Sequence, residues 1–545
     1  MRSAIASRFL CASFFALALT ACGGKAPSAT STPAEDSENP ADGDIYVASS
    51  IGDASYLNPV LSTDSSSGDI NALIYNGLVK YDKDLKLTGD LAESWSVSPD
   101  GLEIIFKLRK NVLWHDGEPF TAEDVKYTYE KLIDPLIKTP YGSDYTLVKN
   151  LKVMDPYTLK VIYKEPFAPA LESWGIGILP KHIFENGDFN SHPRNRRPVG
   201  TGPFKFKEWV TDEKIVLDAN AAYFEGKPHL SRYIYRIIPD QSVQFLEMRK
   251  ASIDELGLTP DQWRAYPEFF ANYNKFRYPS FAYTYLGFNL RLPLFADIRF
   301  REAVAFAINK SELIDGVLLG MGKAASGPYP PQSWAYNPAV KDREFNPQKS
   351  KELLGELGYK DTDGDGYLDT AGKPLQFTIM TNQGNKMRSL TAEIIQSQLK
   401  AVGIKVNVRV IEWSAFIHQF IDKGSFEAVL LGWSLSRDPD QYSIWHSGQV
   451  NEGQYNFVSY KNPEADKLLE TGRRSFDRSE RERIYRKLHS VLARDLPYIF
   501  LYYPEALPAV HKRFRGPEVA PAGLGWNFFK WWVPKGQQKY LRTSS

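Results

Sequence analysis

The stretch from 375 to 431 constrains the fold of this chain more than any other. Phe377 and Ile379 mark a short apolar run, and Leu390, Ile394 and Leu399 then recur at helical spacing. Gly403 supplies the helix stop, and Ile404, Val406, Val408 and Val410 alternate as a strand with one buried face. A short helix carrying Phe416 and Phe420 leads into the apolar run 426–431. This is a β-α-β pattern, and such units build parallel sheets because the crossover helix returns the chain to the same end. Ligands of such sheets sit beyond the carboxyl ends of the strands. The segment after Leu431, from Gly432 to Tyr442, is therefore expected to face a cleft.

The chain has 545 residues, too many for one hydrophobic core, so two or three domains are expected. Its net charge of +1 leaves no general basic footprint, which argues against a nucleic-acid partner. Thirty tyrosines and twelve tryptophans suit either large aromatic cores or a ligand chamber with flat apolar walls and polar tips. A second strand-turn-helix unit spans 90–132. Pro99-Asp100-Gly101 is turn chemistry, after which Leu102, Ile104, Phe106 and Leu108 alternate with Glu103 and Lys107. A turn at 115–119 follows; Thr121 and Asp124 stand as a capping box, with Val125, Thr128, Tyr129 and Leu132 at helical spacing. His115 and Glu118 read as part of that turn. The loop 191–202, with three arginines, reads as solvated surface.

In residue order, 90–132 resembles the signature of the family 5 extracellular solute-binding proteins, which serve oligopeptide and dipeptide ABC importers. The segment Pro198-Val199-Gly200-Thr201-Gly202-Pro203-Phe204 is similar to the point where that family's chain returns to its first lobe. The aromatic run 281–290 is similar to its crossing into the second lobe, and 497–503 to its final return. The resemblance implies an α/β, two-lobed periplasmic-binding-protein-like (type II) fold with an extra small domain and a ligand cleft between the lobes. Lobe I is expected from 44–85, 199–284 and 498–545, the small domain from 86–198, and lobe II from 285–497. Helices are expected over 247–255 and along 298–319.

Residues 1–21 read as a secretory signal, with Arg2 and Arg8 ahead of the apolar run 9–19. Leu19-Thr20-Ala21-Cys22 resembles a lipoprotein cleavage site, which would lipidate Cys22. The acidic, proline-containing stretch 23–43 then reads as a flexible tether. Both cysteines fall within the first 22 residues, so the remaining chain has no thiol nucleophile and no disulfide.

At the predicted cleft, Asp438 and Asp440 beside Trp433 would suit an ammonium group, through charge pairing and an aromatic wall. In the family's peptide binders an aspartate three residues after this tryptophan holds the peptide amino terminus; here that place is Ser436. Glu412-Trp413 is similar to a family segment whose tryptophan lines the chamber. Tyr283, Tyr285 and Asn289 border the crossing strand and could supply hydrogen bonds to an extended ligand. Asp361, Asp363 and Asp365, with Gly366 in sixth place and Asp369 following, match the first half of a calcium loop. The twelfth place is Gly372, so the bidentate carboxylate is missing and an acidic surface turn is the default reading.

Gly-x-Ser-x-Gly and His-Glu-x-x-His are both absent. The expectation is a monomeric, lipid-anchored binding protein at the cell envelope. It would need no cofactor (calcium aside), would capture a peptide or similar solute and would deliver it to an ABC permease. A secreted hydrolase using the same cleft, or a ligand-sensing surface lipoprotein without a permease, are the competing readings.

Overall fold

A computed structural model describes residues 39–265 and 268–540. The signal segment and Cys22 lie outside the described residues. The strand Ile45–Ser50 runs parallel to Arg232–Ile237, and Lys214–Ala219 and Phe204–Val210 extend this sheet antiparallel. Helix Ser65–Ile74 starts at Asp64, whose carboxylate accepts the Ser67 amide at 2.9 Å.

The small domain is a four-stranded antiparallel sheet ordered Ala92–Val97, Glu103–Leu108, Thr158–Tyr163, Val148–Asp155. Ile104, Phe106 and Leu108 turn inward as their alternation requires. Helix Ala122–Ile133 begins with the expected Thr121/Asp124 capping box. Two glycines fasten this domain to the first lobe. A Cβ on Gly200 would stand 1.9 Å from the Ile74 carbonyl oxygen, and one on Gly202 would stand 2.5 Å from the Leu73 carbonyl oxygen. Only glycine permits that approach, and the Gly202 amide uses it to donate to Ile74 O at 2.7 Å. His115 sits over the same segment: its Nδ1 accepts from the Gly200 amide at 3.2 Å and its Nε2 reaches Gly202 O at 3.0 Å.

The second lobe is built on a seven-stranded mixed sheet. Gln376–Asn382 runs parallel to Lys405–Ile411 and to Ala428–Ser434, as the β-α-β pattern predicts. Beyond them the sheet turns antiparallel, through Ala282–Phe288 and then Tyr498–Ala506. The expected lobe boundaries shift accordingly. Both Ala282–Phe288 and Tyr498–Ala506 sit inside the second lobe's sheet, because their nearly continuous burial suits interior strands. The return to the first lobe is made by Pro508–His511, between Glu255–Gly257 and Tyr273–Lys275. The chain thus crosses between lobes twice, near 276–281 and 504–507. The crossings are pinned together by Tyr278–Pro279 pairing with Glu505 and Ala506 and by an ion pair between Arg277 and Glu505.

Two helix expectations need correction. The first helix is Gln241–Arg249, started by Asp240, and it ends where Ala251 takes a φ of 55°. The second is broken: Ile298–Ala307 stops at an extended Ile308, and Asn309 caps a new helix, Lys310–Gly316.

Candidate functional site

The carboxyl ends of all three parallel strands converge on one cavity of about 620 Å³ between the lobes. Ala428–Ser434 delivers Trp433, Lys405–Ile411 delivers Trp413, and Gln376–Asn382 leads to Arg388 in the first turn of helix Lys386–Lys400. The opposite wall comes from the start of helix Ser65–Ile74 and from Tyr141 and Asp144 of the small domain. The strand rule therefore places the cleft correctly.

Two polar atoms of lining residues, both shielded behind the cavity surface, have no protein partner. Tyr283 is buried with its hydroxyl unpaired, and the shielded Trp413 Nε1 likewise lacks an acceptor. Such groups are costly unless something else satisfies them. Arg388 donates to Asn382 Oδ1 at 2.7 Å, with no carboxylate within ion-pair distance among the described residues. Burial pushes its pKa below the ordinary arginine value. A guanidinium held by an amide and facing a cavity is suited to an incoming carboxylate. Trp433 stacks on Phe457 with centroids 6.0 Å apart, which presents a flat apolar wall.

Other predicted residues are placed differently. Asp438 is not in the cavity wall: Arg481 holds both its oxygens, at 2.7 and 2.8 Å. Asp440 does reach the cavity, but it pairs with Arg473 at 2.8 Å. Burial raises its carboxyl to about 6 despite that arginine. Neither carboxylate is free to receive an ammonium group. Ser436 lines the cavity and donates to Asp438 O at 2.8 Å. Asn289 is buried away from the cavity, donating to Phe426 O at 2.8 Å, so it braces the strand end. Tyr285 reaches the cavity and stacks on Tyr498 at 3.8 Å.

Asp361, Asp363 and Asp369 bring carboxylate oxygens within 4.8 Å of one another. Asp361 accepts the Gly364 and Gly366 amides, Asp369 accepts from Thr362, and Asp365 accepts the Tyr367 amide. These are the bonds of a self-capped turn.

Sequence reasoning missed Arg388 and the Asp144–Arg473 contact. Arg388 was within reach of the strand-end rule, since it follows a predicted parallel strand. Asp144 and Arg473 lie far apart in sequence and carry no local signal.

The chain matches the family model for bacterial extracellular solute-binding proteins, family 5, over residues 86–454. It belongs to that family. The oligopeptide-binding protein AppA of Bacillus subtilis is 38% identical over 531 residues, 95% of this chain and 97% of the relative. The solved structure of that AppA with a nonapeptide superposes with a TM-score of 0.88 at 36% identity, covering 91% of this chain and all of the other. NikZ of Campylobacter jejuni with Ni(L-His) gives 0.81 at 28% identity, covering 90% of this chain and 100% of NikZ. DppA of Helicobacter pylori with the peptide STSA also gives 0.81 at 28% identity, covering 91% and 99%. The fold is the two-lobed type II arrangement, and the chain is a solute-binding protein of the ABC-transporter class, not an enzyme. No helix of the described residues is long and apolar enough to cross a membrane.

Proposed function

We propose that this family 5 protein captures an extended peptide in the interlobe cavity and delivers it to an ABC permease. The observation that carries this reading is the interlobe cavity itself, whose wall carries an Arg388 guanidinium with no carboxylate partner among the described residues and the flat face of Trp433. Arg388 takes the ligand's carboxylate, and Trp433 packs against a side chain. Main-chain bonds give affinity without fixing the sequence, so varied peptides are accommodated. The names of the AppA and DppA relatives support the peptide class.

The protein works as a monomer at the outer face of the cytoplasmic membrane, held there by lipid on Cys22 and the tether that follows. The acidic loop 361–369 is a turn that caps itself, and no cofactor is needed for capture.

Two measurements test this. Mass spectrometry of the acid-denatured protein should detect co-purified peptides. Titration calorimetry with a synthetic nonapeptide should show binding that drops at least tenfold in Arg388→Ala, with the recovered peptide intact. Absence of any peptide in the first, together with no heat in the second, would overturn the reading; cleavage of the nonapeptide would favour a hydrolase.

A further inference from the structure

A second cavity, of about 420 Å³, opens inside the first lobe. Gly68 lines both cavities, so helix Ser65–Ile74 is their shared wall. Two carboxylates face into it: Asp69, the next helix residue, and Glu255, at the start of Glu255–Gly257. Its sides are aromatic. Tyr46 stacks with Tyr233 at 5.7 Å, Tyr233 stacks with Tyr235 at 6.4 Å, and Phe528 and Trp531 close the far side.

The electrostatics of this enclosure are unbalanced. Among the described residues no lysine, arginine or histidine pairs with Asp69 or Glu255; their hydrogen bonds come from tyrosines, Tyr235 to Asp69 and Tyr46 to Glu255. Desolvation and the neighbouring Glu255 raise the Asp69 carboxyl, and desolvation raises Glu255 as well, while Asp69 keeps an exposed face toward the cavity. Ser49 Oγ is shielded from solvent on the same wall and has no partner. By contrast, the carboxylates of the interlobe loop, Asp438 and Asp440, are already neutralised by Arg481 and Arg473. Two carboxylates with tyrosine hydrogen bonds but no cationic partner, set among aromatic faces, form a receptor for an organic cation: charge pairing below, cation–π attraction from the sides, and apolar walls for an aliphatic stem.

We propose that this cavity binds the organic cation of the ligand, either a lysine or arginine side chain or the peptide amino terminus, beside a main chain running through the interlobe cavity. The inference rests on the peptide reading and makes the protein selective for cationic ligands.

Calorimetry with four nonapeptides tests it: polyalanine with a central lysine, the same peptide with glutamine, and each of these with an acetylated amino terminus. Either the lysine peptide binds at least tenfold tighter than the glutamine peptide, or acetylation weakens both at least tenfold. Retention of that preference after acetylation assigns the cavity to the side chain; a tenfold loss on acetylation, with lysine and glutamine equal, assigns it to the amino terminus. Asp69→Asn should abolish whichever preference is found while leaving the N-acetylated glutamine peptide bound as before. Gly68→Leu provides a second variant, because a Cβ there meets nothing within 4 Å and its side chain adds bulk where the two cavities adjoin. It should reduce the same preference. A probe without peptide bonds separates the two readings: millimolar n-butylammonium chloride should raise the Tm of the wild type and not of Asp69→Asn. If peptides bind with no cation preference and butylammonium leaves Tm unchanged, the inference is overturned and the peptide reading stands. If no peptide binds but butylammonium shifts Tm through Asp69, the cation site stands and the peptide reading falls.

Discussion

The hydroxyls of Tyr141 and Tyr455 meet at 3.1 Å across the interlobe cavity. Tyr141 belongs to the small-domain side and also donates to Ser62 O at 2.8 Å; Tyr455 belongs to the second lobe and packs edge-on against Trp433. Nearby, Arg473 reaches from the second lobe to Asp144 while holding Asp440. Further pairs, Arg474 with Glu165 and Lys386 with Asp261, both at 2.8 Å, repeat the pattern at the rim. These contacts hold the two sides of the cavity together, so opening of the lobes about the crossings at 276–281 and 504–507 would have to break them.

Removing one cross-cleft bond should speed opening without weakening either lobe. Tyr455→Phe deletes a hydrogen bond worth about 1 kcal/mol. Bound peptide should then leave about fivefold faster, while Tm of the empty protein stays unchanged. Stopped-flow release monitored by tryptophan fluorescence checks this; an unaltered off-rate would show that the bond does not hold the closed form.

Asp438 should behave as a structural residue. Asp438→Asn leaves the Arg481 guanidinium, 8% exposed, without its bidentate carboxylate. Orphaning a buried charge costs about 3–5 kcal/mol, so urea unfolding should show a large loss of stability. Peptide affinity of the folded fraction should be unchanged. Ser436→Ala, by contrast, alters the cavity wall and should leave stability within about 0.5 kcal/mol.

Gly200 should tolerate no side chain. Its hypothetical Cβ meets the Ile74 backbone oxygen at 1.9 Å, and backbone cannot swing aside as a side chain could. Gly200→Ala should cost several kcal/mol by forcing the small domain away from helix Ser65–Ile74, seen as a lower Tm and earlier proteolysis within 90–200. Gly68→Ala, where the Cβ meets open space, is the control and should leave Tm unchanged or slightly higher.

How far the sequence reveals this molecule depends on the range of the physics involved. Local patterns were readable. The alternation in 102–108, the Thr121/Asp124 box and the parallel strands of 375–431 are set by nearest neighbours, and all appear as expected. The cleft was readable too, because strand-end geometry follows from the β-α-β pattern alone. Charge partners were not. Asp438 and Asp440 looked available because Arg481 and Arg473 approach them from a helix pair some thirty to forty residues on, and periodicity says nothing about that approach. Strand order across the crossings was equally hidden: 497–503 reads as a terminal strand, but only tertiary pairing shows which sheet receives it.

The pH dependence of stability should carry a histidine signature. His489 is fully buried, its Nδ1 accepting the Asn337 amide at 3.1 Å, and burial lowers its pKa to about 4. His115, beside Gly200 and Gly202, is also lowered to about 4 by burial, against the opposing bond to Gly202. Both values lie below that of an unfolded histidine, about 6.5. Between these limits the unfolded chain binds more protons than the native one, so unfolding free energy rises with pH. The stabilisation is complete above about pH 6.5 and disappears as pH falls toward about 4, by about 3 kcal/mol for each histidine. Urea titrations at a series of pH values between 7 and 4 should therefore show a steep decline in the wild type. His489→Gln should flatten the decline by roughly half of the histidine part, and the double variant with His115→Gln should remove that part, leaving the carboxylate contribution. A double variant whose pH slope between 6.5 and 4 matches the wild type would mean that neither imidazole is held neutral by its burial.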